Sequence, residues 1–388
     1  MKEKTSLYMG VGCEMTHYEV DVHNATLTKR SSLTLPCGVQ YAWRHPTAPF
    51  LYVACSSGGP NTQGDAHHLV ALKIHETSGT LISQHSSSPL PSRPIHVTVD
   101  RAGKHVITAY NKPGYVTVHR IEADGGIYEQ VRQYAEPDAG IFPHQIMITP
   151  MGKSVIVVAR GNAANEGRPE DPGALKVFSY DDENGQLKSV ATIAPNGGHN
   201  FGPRHLDFHP SKPWIYVSLE LQNTVQMYRI LNDSVEDEPA YTKYSLQNYD
   251  ERFPKQRPGT IHIHPNGRFV YVANRASATK LINGESIFVG GENNIAVFEI
   301  DENSGEHRAI QHEDTRGIIA RTFALDKSGR LLVVANSTSI LAEADGIAKK
   351  IPPSLSLFRV GNDGKLNYVQ KYDIDTGNET IFWMGIVG

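Results

Sequence analysis

The sequence predicts an all-β fold, a seven-bladed β-propeller, from a repeated strand–turn–strand unit, a further strand after each copy, and two chain ends that complement each other. The unit is seen in "RPIHVTVDRAGKHVITAYN" and again in "GPRHLDFHPSKPWIYVSLEL". Copies of it, one of them degenerate, begin at Gly38, Arg93, Phe142, Gly202, Arg257 and Ile319. A unit that recurs through a chain in this way is typical of repeat architectures.

The interval between copies is the one expected of propeller blades. The anchor prolines Pro94, Pro143, Pro203 and Pro258 are 49, 60 and 55 residues apart, which fits a four-stranded blade with loops of variable length. A strand-like run such as "YVTVHRI" or "NIAVFEI" follows each copy, and a glycine-containing turn such as "ENSGE" then leads to a fourth strand. The pattern therefore predicts six internal blades, and no segment shows a long helical period.

The chain ends predict a seventh blade. The N-terminal runs "SLYMGVG", "THYEVDV" and "TLTKRSSLTL" match strands two to four of a blade, and the C-terminal "TIFWMGIVG" matches strand one alone. We expect residues 5–35 and 378–388 to share one four-stranded sheet, because this pairing removes the free edge of an open array. We therefore expect residues 1–388 to form a single propeller domain. An open β-sandwich pair fits the regular repeat less well.

The composition excludes several classes of protein. The chain has 388 residues, of which 39% are hydrophobic and 20% charged, and its net charge is −4, which is typical of a soluble globular protein. No basic block indicates a nucleic-acid partner. Glu14 and His17 interrupt the short N-terminal apolar run, which argues against a signal peptide or a membrane span. We expect a cytoplasmic protein with neither a nucleic-acid nor a membrane partner.

Two positions of the repeat place polar side chains at one mouth of the central channel. The residue after each anchor, at the entrance to strand one, is Gln40, Ile95, His144, Arg204, Gly259, Arg321 or Phe382. The residue that leaves strand two is Ser56, Asn111, Arg160, Glu220, Arg275 or Ser337. Because antiparallel order brings both positions to the same face, we predict a site that consists of His144, Arg160, Arg204, Glu220, Arg275 and Arg321.

The remaining apolar residues, histidines and cysteines are expected to have structural rather than catalytic roles. The third and fifth positions of strand one are apolar, so we expect them to pack blade against blade. We expect His209 and His264 to serve the turn on the opposite face. Four further polar residues are interpreted as hydrogen-bonded groups between blades: His96, His205, Asp207 and His262. The cysteines and loop histidines lack metal-ligand spacing, so we expect no metal. Long connections in blades one, three, five and six emerge on the site face, where they either shape a binding site or are surface decoration.

The residues also resemble a known family. "GPRHLDFHP" followed by "IYVSLEL", the pair "IHIHPNGRFVYVANR" and the terminal tryptophan strand are similar to the seven-bladed β-propeller lactonases over essentially the whole chain. That family includes the propeller-type 6-phosphogluconolactonases and the 3-carboxy-cis,cis-muconate lactonizing enzymes. The resemblance implies that His144 is the active-site histidine, that Arg204 and Arg275 are the two arginines, and that Glu220 is the glutamate. The long loops of blades five and six depart from the family.

These residues suit the hydrolysis of a sugar-acid lactone: an aldono-, aldaro-, urono- or 6-phosphoglucono-lactone. We expect His144 or Glu220 to transfer protons, with His144 favoured because its ordinary pKa lies near neutrality. Arg204 and Arg275 suit bidentate recognition of an anionic substrate, which the other two arginines extend. Such a site needs no cofactor. The alternatives are a cycloisomerase that forms a lactone from a carboxymuconate-like diacid, and a non-catalytic interaction platform, for which exposed aromatic residues would be expected.

Overall fold

The computed structural model describes residues 5–60, 62–83, 87–231, 234–248, 255–344 and 347–388. It shows seven radial sheets of four main strands each, with short additional pairings in blades one and four. Within the described part of the chain, no helix is long and apolar enough to cross a membrane. A single 3₁₀ turn, Pro195–Gly198, is assigned there.

From the channel outward, the first three blades have regular strand order. Blade one consists of Gly38–Arg44, Phe50–Ser56, His67–Ile74 and Leu81–Ser83, with Ser88–Pro89 also paired to its third strand. Blade two consists of Pro94–Val99, His105–Asn111, Gly114–Ile121 and Ile127–Gln130. Blade three consists of Pro143–Ile148, Ser154–Ala159, Ala174–Asp181 and Gln186–Ile193.

The next three blades repeat this order. Blade four consists of Pro203–Phe208, Trp214–Leu219, Thr224–Leu231 and Tyr241–Tyr244, with Ser234–Val235 as an extra pairing. Blade five consists of Gln256–Ile263, Phe269–Ala276, Asn294–Ile300 and His307–Asp314. Blade six consists of Ala320–Leu325, Leu331–Asn336, Ser354–Val360 and Leu366–Asp373.

Both chain ends build blade seven, which confirms the prediction from their sequences. Its strands, from the channel outward, are Ile381–Val387, Ser6–Val11, Glu14–Asp21 and Thr26–Thr34. The first two are antiparallel, with Leu7 opposite Ile386 and Met9 opposite Met384. The ring is therefore closed by hydrogen bonds between the first and last strands of the chain.

The core consists of seven apolar clusters, one at each interface between neighbouring blades. Ile107 of blade two, for example, lies in one cluster with Ile146 and Val157 of blade three. Ile146 occupies the third position of strand one, and Ile148 at the fifth belongs to the same cluster. The expectation that these positions pack blade against blade is confirmed, and burial at every interface fixes the blades around the channel.

Histidines of the turns between strands one and two also join neighbouring blades. His209 Nε2 lies 2.8 Å from the Gly267 carbonyl oxygen, and its Nδ1 accepts a hydrogen bond from the Lys212 N–H at 3.0 Å. His264 repeats the contact to the next blade, at 3.0 Å from the Gly329 carbonyl oxygen. The turn role predicted for both histidines is confirmed.

The long connections of blades five and six form an eighth sheet that sequence reasoning missed. It consists of the hairpins Thr279–Ile282 with Glu285–Phe288 and Ile340–Ala344 with Ile347–Ile351. Parallel pairing of Ile287 with Leu341 joins the two hairpins. The turn between the first pair is Asn283–Gly284, with φ of 51° and 85°, and Asn-Gly between β-forming residues is a strong hairpin signal. Treating these segments as plain loops was therefore wrong. We refer to this sheet as the accessory sheet.

Candidate active site

A β-bulge at the entrance of strand one aims the candidate side chains. In blade four, Pro203 and His205 pair with consecutive residues of strand two, so Arg204 between them has no partner in the ladder. The same interruption omits His144 in blade three and Arg321 in blade six. A bulge re-aims the extra residue and bends the strand, so these side chains escape the alternation that sends the following residues between blades.

The bulge recurs in every blade. The residues that the ladders omit around the ring are Gln40, Ile95, His144, Arg204, Gly259 with Thr260, Arg321 and Phe382. These include every residue that the sequence placed at the channel entrance. Their place at the strand entrance had selected the correct residues, but the bulge is the physical reason that their side chains face the channel.

Glu220 lies at the centre of an arginine cluster. Its side chain is 2% exposed, and Arg160 Nη1 donates a hydrogen bond to its Oε2 at 3.2 Å. Arg275 Nη2 hydrogen-bonds to Oε1, and Arg204 Nε lies 2.9 Å from the same oxygen. A fourth arginine, Arg257, places Nη1 4.0 Å from Oε2. Four guanidinium groups thus surround one buried carboxylate.

The charge of Glu220 follows from this environment. Burial alone would raise the pKa of its carboxyl, but Arg275, Arg204, Arg160 and Arg257 outweigh burial and lower the pKa to about 2. Glu220 is therefore ionised at neutral pH. A carboxylate with so low a pKa is a weak proton acceptor.

His144 belongs to the inner cavity, a space of about 20 Å³ that it lines together with Arg204, His205 and Arg321. Its ring is half-buried and lies 5.1 Å from the His205 ring, centroid to centroid. Its Nδ1 is buried without a hydrogen-bond partner in the part of the chain that the structure describes. Burial, followed by the charge of Arg204, holds the pKa of His144 well below 6.5. The imidazole is therefore neutral at pH 7.

Arg204 and Arg321 both line the inner cavity, but they differ in their hydrogen-bond partners. Arg204 is 2% exposed. Its Nε faces Glu220 Oε1 at 2.9 Å as an ion pair without hydrogen-bond geometry, and its Nη1 has no partner among the described residues. Arg321 is held differently, since its Nε donates to the Phe382 carbonyl oxygen at 3.1 Å and its guanidinium lies 3.9 Å from the centre of the Phe382 ring. Buried donors of this kind normally find partners, so Arg204 presents hydrogen-bonding capacity to the cavity.

The predicted residues thus form two groups that share one member. The structure brings Arg160, Arg204 and Arg275 together around Glu220. The inner cavity brings together His144, Arg204 and Arg321. Arg204 belongs to both groups, so a molecule bound beside it meets a neutral histidine and a strongly cationic cluster. Proton acceptance, oxyanion stabilisation and anion binding are the chemistry available here.

Sequence reasoning missed Arg257 and did not place His205 at the cavity that it lines. Strand one of blade five begins at Gln256, ahead of its anchor proline, and this places Arg257 directly opposite Arg275. His205 was expected between blades, but it lines the inner cavity. His96 does pack against the neighbouring blade, with its ring 3.9 Å from that of Tyr41, but neither ring nitrogen has a hydrogen-bond partner among the described residues. Asp207 links blades four and five as expected, since its Oδ2 accepts from the Ile263 N–H at 2.9 Å and lies 3.5 Å from His262 Nδ1. The arginine that precedes the anchor in "RPGT" was the available signal for Arg257.

Comparisons with known proteins agree with this architecture. The sequence model of the family described as Lactonase, 7-bladed beta-propeller matches residues 5–344. A 6-phosphogluconolactonase of Bacillus subtilis is 29% identical over 294 residues, which are 71% of this chain and 73% of that protein. A 6-phosphogluconolactonase of Yersinia pestis is 25% identical over 368 residues, 93% of this chain and 91% of that protein.

Solved structures show the same fold. The periplasmic gluconolactonase of Pseudomonas aeruginosa superposes with a TM-score of 0.72 at 20% identity, covering 97% of this chain and 98% of that one. A structure from Lactobacillus plantarum has a TM-score of 0.70 at 21% identity, with coverage of 99% and 98%. Since the family match spans most of the sequence and the structure closes a ring of seven blades, the chain belongs to the seven-bladed β-propeller lactonase family.

Proposed function

We propose that this protein is a lactonase that hydrolyses a sugar-acid lactone at the site built around Arg204 and His144. The observation that carries the proposal is the shared cavity wall, where buried donors of Arg204 lie beside a half-buried neutral imidazole. Related proteins named 6-phosphogluconolactonase support the same activity. We also propose that residues 1–388 act as one domain and that the protein is cytoplasmic.

The residues suit a two-step acyl transfer to water. Neutral His144 accepts a proton from a water molecule as its oxygen attacks the lactone carbonyl carbon, and the carbonyl oxygen becomes an oxyanion. Arg204 donates hydrogen bonds to this oxyanion, which is where the site stabilises developing charge. Collapse of the tetrahedral intermediate breaks the ring C–O bond. Protonated His144 then returns its proton to the leaving alkoxide, so the hydroxy acid forms and the imidazole is neutral again.

We assign Glu220 a positioning role in this mechanism. With a pKa of about 2 it stays ionised throughout neutral pH, and its two oxygens fix the orientation of Arg160, Arg204 and Arg275. His144 is therefore the better proton acceptor of the two residues that the sequence favoured. Arg160, Arg275 and Arg321 supply the cationic surface that attracts an anionic substrate.

A panel assay tests the proposal. The purified protein is incubated with aldono-, aldaro- and uronolactones and with 6-phosphogluconolactone, and acid release is followed with a pH indicator against an enzyme-free blank. We expect hydrolysis well above the blank for at least one of these lactones. Loss of ultraviolet absorbance from a carboxymuconate without lactone hydrolysis would instead establish a cycloisomerase. No turnover of any compound would contradict an enzymatic role and favour an interaction platform.

A further inference from the structure

We infer that Arg257 binds an anionic substituent of the substrate, a phosphate or a carboxylate remote from the lactone carbonyl, and so sets a preference for charged over neutral lactones. The inference rests on the proposed function. It concerns a residue outside the set that the repeat pattern selects. Its support comes from the strand that carries Arg257, from the charges around Glu220, and from a gradient of exposure across the cluster.

The strand that carries Arg257 is longer than its counterparts. In blades two, three and four, strand one begins at the anchor proline itself. In blade five it begins at Gln256, two residues before Pro258, and pairs Gln256 with Ala276 and Arg257 with Arg275. This extension lies at the site end of the strand. It places Arg257 in the ladder opposite Arg275. Arg93, which precedes the anchor of blade two, lies outside its strand instead and donates a hydrogen bond to Gln40 Oε1 at 2.9 Å.

The charges around this extension are unbalanced. Arg257 and Arg275 are directly opposite each other on neighbouring strands, and like charges in that arrangement are destabilising. Both face the single carboxylate of Glu220, as do Arg160 and Arg204. Four positive charges and one negative charge leave an excess of three in this group of five side chains. A bound anion relieves this repulsion, so the cluster is built to receive further negative charge.

Exposure separates the roles of the arginines. The side chain of Arg204 is 3% exposed, that of Arg275 15% and that of Arg257 42%. The innermost arginine therefore lies where the carbonyl reacts, and the outermost lies where the rest of the substrate extends towards solvent. At 4.0 Å from Glu220 Oε2, Arg257 Nη1 is beyond hydrogen-bond distance from that oxygen. A guanidinium suits phosphate and carboxylate equally because both accept two parallel N–H bonds.

The test measures binding of product acids, which does not depend on turnover. Dissociation constants for gluconate, glucarate and 6-phosphogluconate are determined by calorimetry with wild type, Arg257→Gln and Arg257→Lys. Arg308→Gln is the matched control, since Arg308 also lies in blade five, pairs with Glu299 and is 80% exposed. Glucarate and 6-phosphogluconate distinguish a carboxylate-bearing from a phosphate-bearing substituent.

We expect wild type to bind glucarate or 6-phosphogluconate more tightly than gluconate. Arg257→Gln should weaken binding of that acid about 10-fold to 100-fold, the range for a hydrogen bond to a charged group. Gluconate binding should weaken by a smaller factor, and the thermal midpoint should not fall, because the variant also removes the repulsion with Arg275. Arg257→Lys should restore part of the preference, and Arg308→Gln should leave it intact. Equal binding of all three acids by wild type, or an unaltered preference in Arg257→Gln, would overturn the inference. Absence of lactone turnover by wild type would overturn only the proposed function, because the binding data still decide the role of Arg257.

Discussion

Arg204 connects the two parts of the site. Its Nε lies 2.9 Å from Glu220 Oε1, and its side chain lines the inner cavity with His144. The bulge at Pro203–His205 directs the side chain towards the channel, and almost complete burial keeps water away from its donors. At this scale, function depends on one planar guanidinium held between a carboxylate and a cavity.

Replacing Arg204 or Arg275 with Lys tests the need for that planar group. Lysine keeps the positive charge but loses the fork of parallel donors, so we expect kcat/KM to fall about 10-fold or more for each variant. The thermal midpoint should stay within a few degrees of wild type. Steady-state kinetics with the best lactone of the panel provide the measurement, with Arg308→Lys as an exposed control. Wild-type kinetics in both site variants would contradict the proposed roles.

Substitution of His144 tests the proton acceptor. General acid–base groups contribute about 10²-fold to 10⁴-fold, and we expect His144→Gln to lower kcat by that range with little change in KM. Because the pKa of His144 lies well below 6.5, wild-type kcat/KM should stay level as pH falls from 7 to 6.5. It should decline only at more acidic pH, as the imidazole becomes protonated. His144→Gln should lack this acidic limb, and retention of the limb in the variant would assign it to another group.

Replacing Glu220 with Gln tests its positioning role. The change removes the negative charge that the buried arginines share, and loss of one partner from a buried ion pair destabilises proteins by about 3–5 kcal/mol. We expect a decrease of that size in the free energy of unfolding, measured with urea at pH 7, together with a loss of activity. Glu299→Gln, at the exposed pair with Arg308, should change stability by less than about 1 kcal/mol. Wild-type stability of Glu220→Gln would contradict the account.

At the level of strands, the sequence predicted the order of the strands and their apolar positions, but it did not predict the bulges. The apolar third and fifth positions of strand one identify the residues at blade interfaces, as Ile146 and Ile148 show. Alternation alone would place His144 on their side of the sheet. A bulge adds one residue to one strand and depends on pairing with the neighbouring strand, which a single segment of sequence does not reveal.

The accessory sheet illustrates a second limit of local patterns. The Asn283–Gly284 turn identifies one hairpin from sequence alone. Its association with the hairpin of blade six, through Ile287 and Leu341, joins segments more than fifty residues apart. Such pairing depends on where the blades place their loops, and that becomes known only when the ring is assembled.

The accessory sheet bounds a cavity of about 600 Å³ against the rim of blade five at Arg316.

The strand Ile381–Val387 allows a direct test of how the ring of blades is closed. Ile381–Val387 pairs with Ser6–Val11, and Trp383 packs in a cluster with Tyr8 and Val39. Deleting residues 378–388 removes this strand and exposes two blade interfaces, so we expect loss of cooperative unfolding or a large drop in thermal midpoint. Trp383→Ala in the full chain should cost about 3–5 kcal/mol. A truncated chain that unfolds at the wild-type temperature would contradict closure by the chain ends.

At the scale of the molecule, repetition made the fold predictable. Each of the seven interfaces buries its own cluster, so every blade is stabilised by both neighbours. The same repetition brings equivalent positions of all blades to one channel, which is why the register of the repeat selects His144, Arg204 and Glu220 from the amino-acid sequence alone. Arg257 lies on the longer first strand of blade five, just before the anchor proline, where blade two has Arg93. It occupies neither of the two repeat positions that define the predicted site, so those positions do not select it.

The most direct test of the account is a crystal structure with the product acid of the best lactone bound. We predict that the product carboxylate lies in the channel mouth, within hydrogen-bond distance of Arg204 and facing the His144 ring, with any anionic substituent directed towards Arg257. A product bound in the cavity beneath the accessory sheet, or at the channel mouth on the opposite face, would contradict the assignment of the active site.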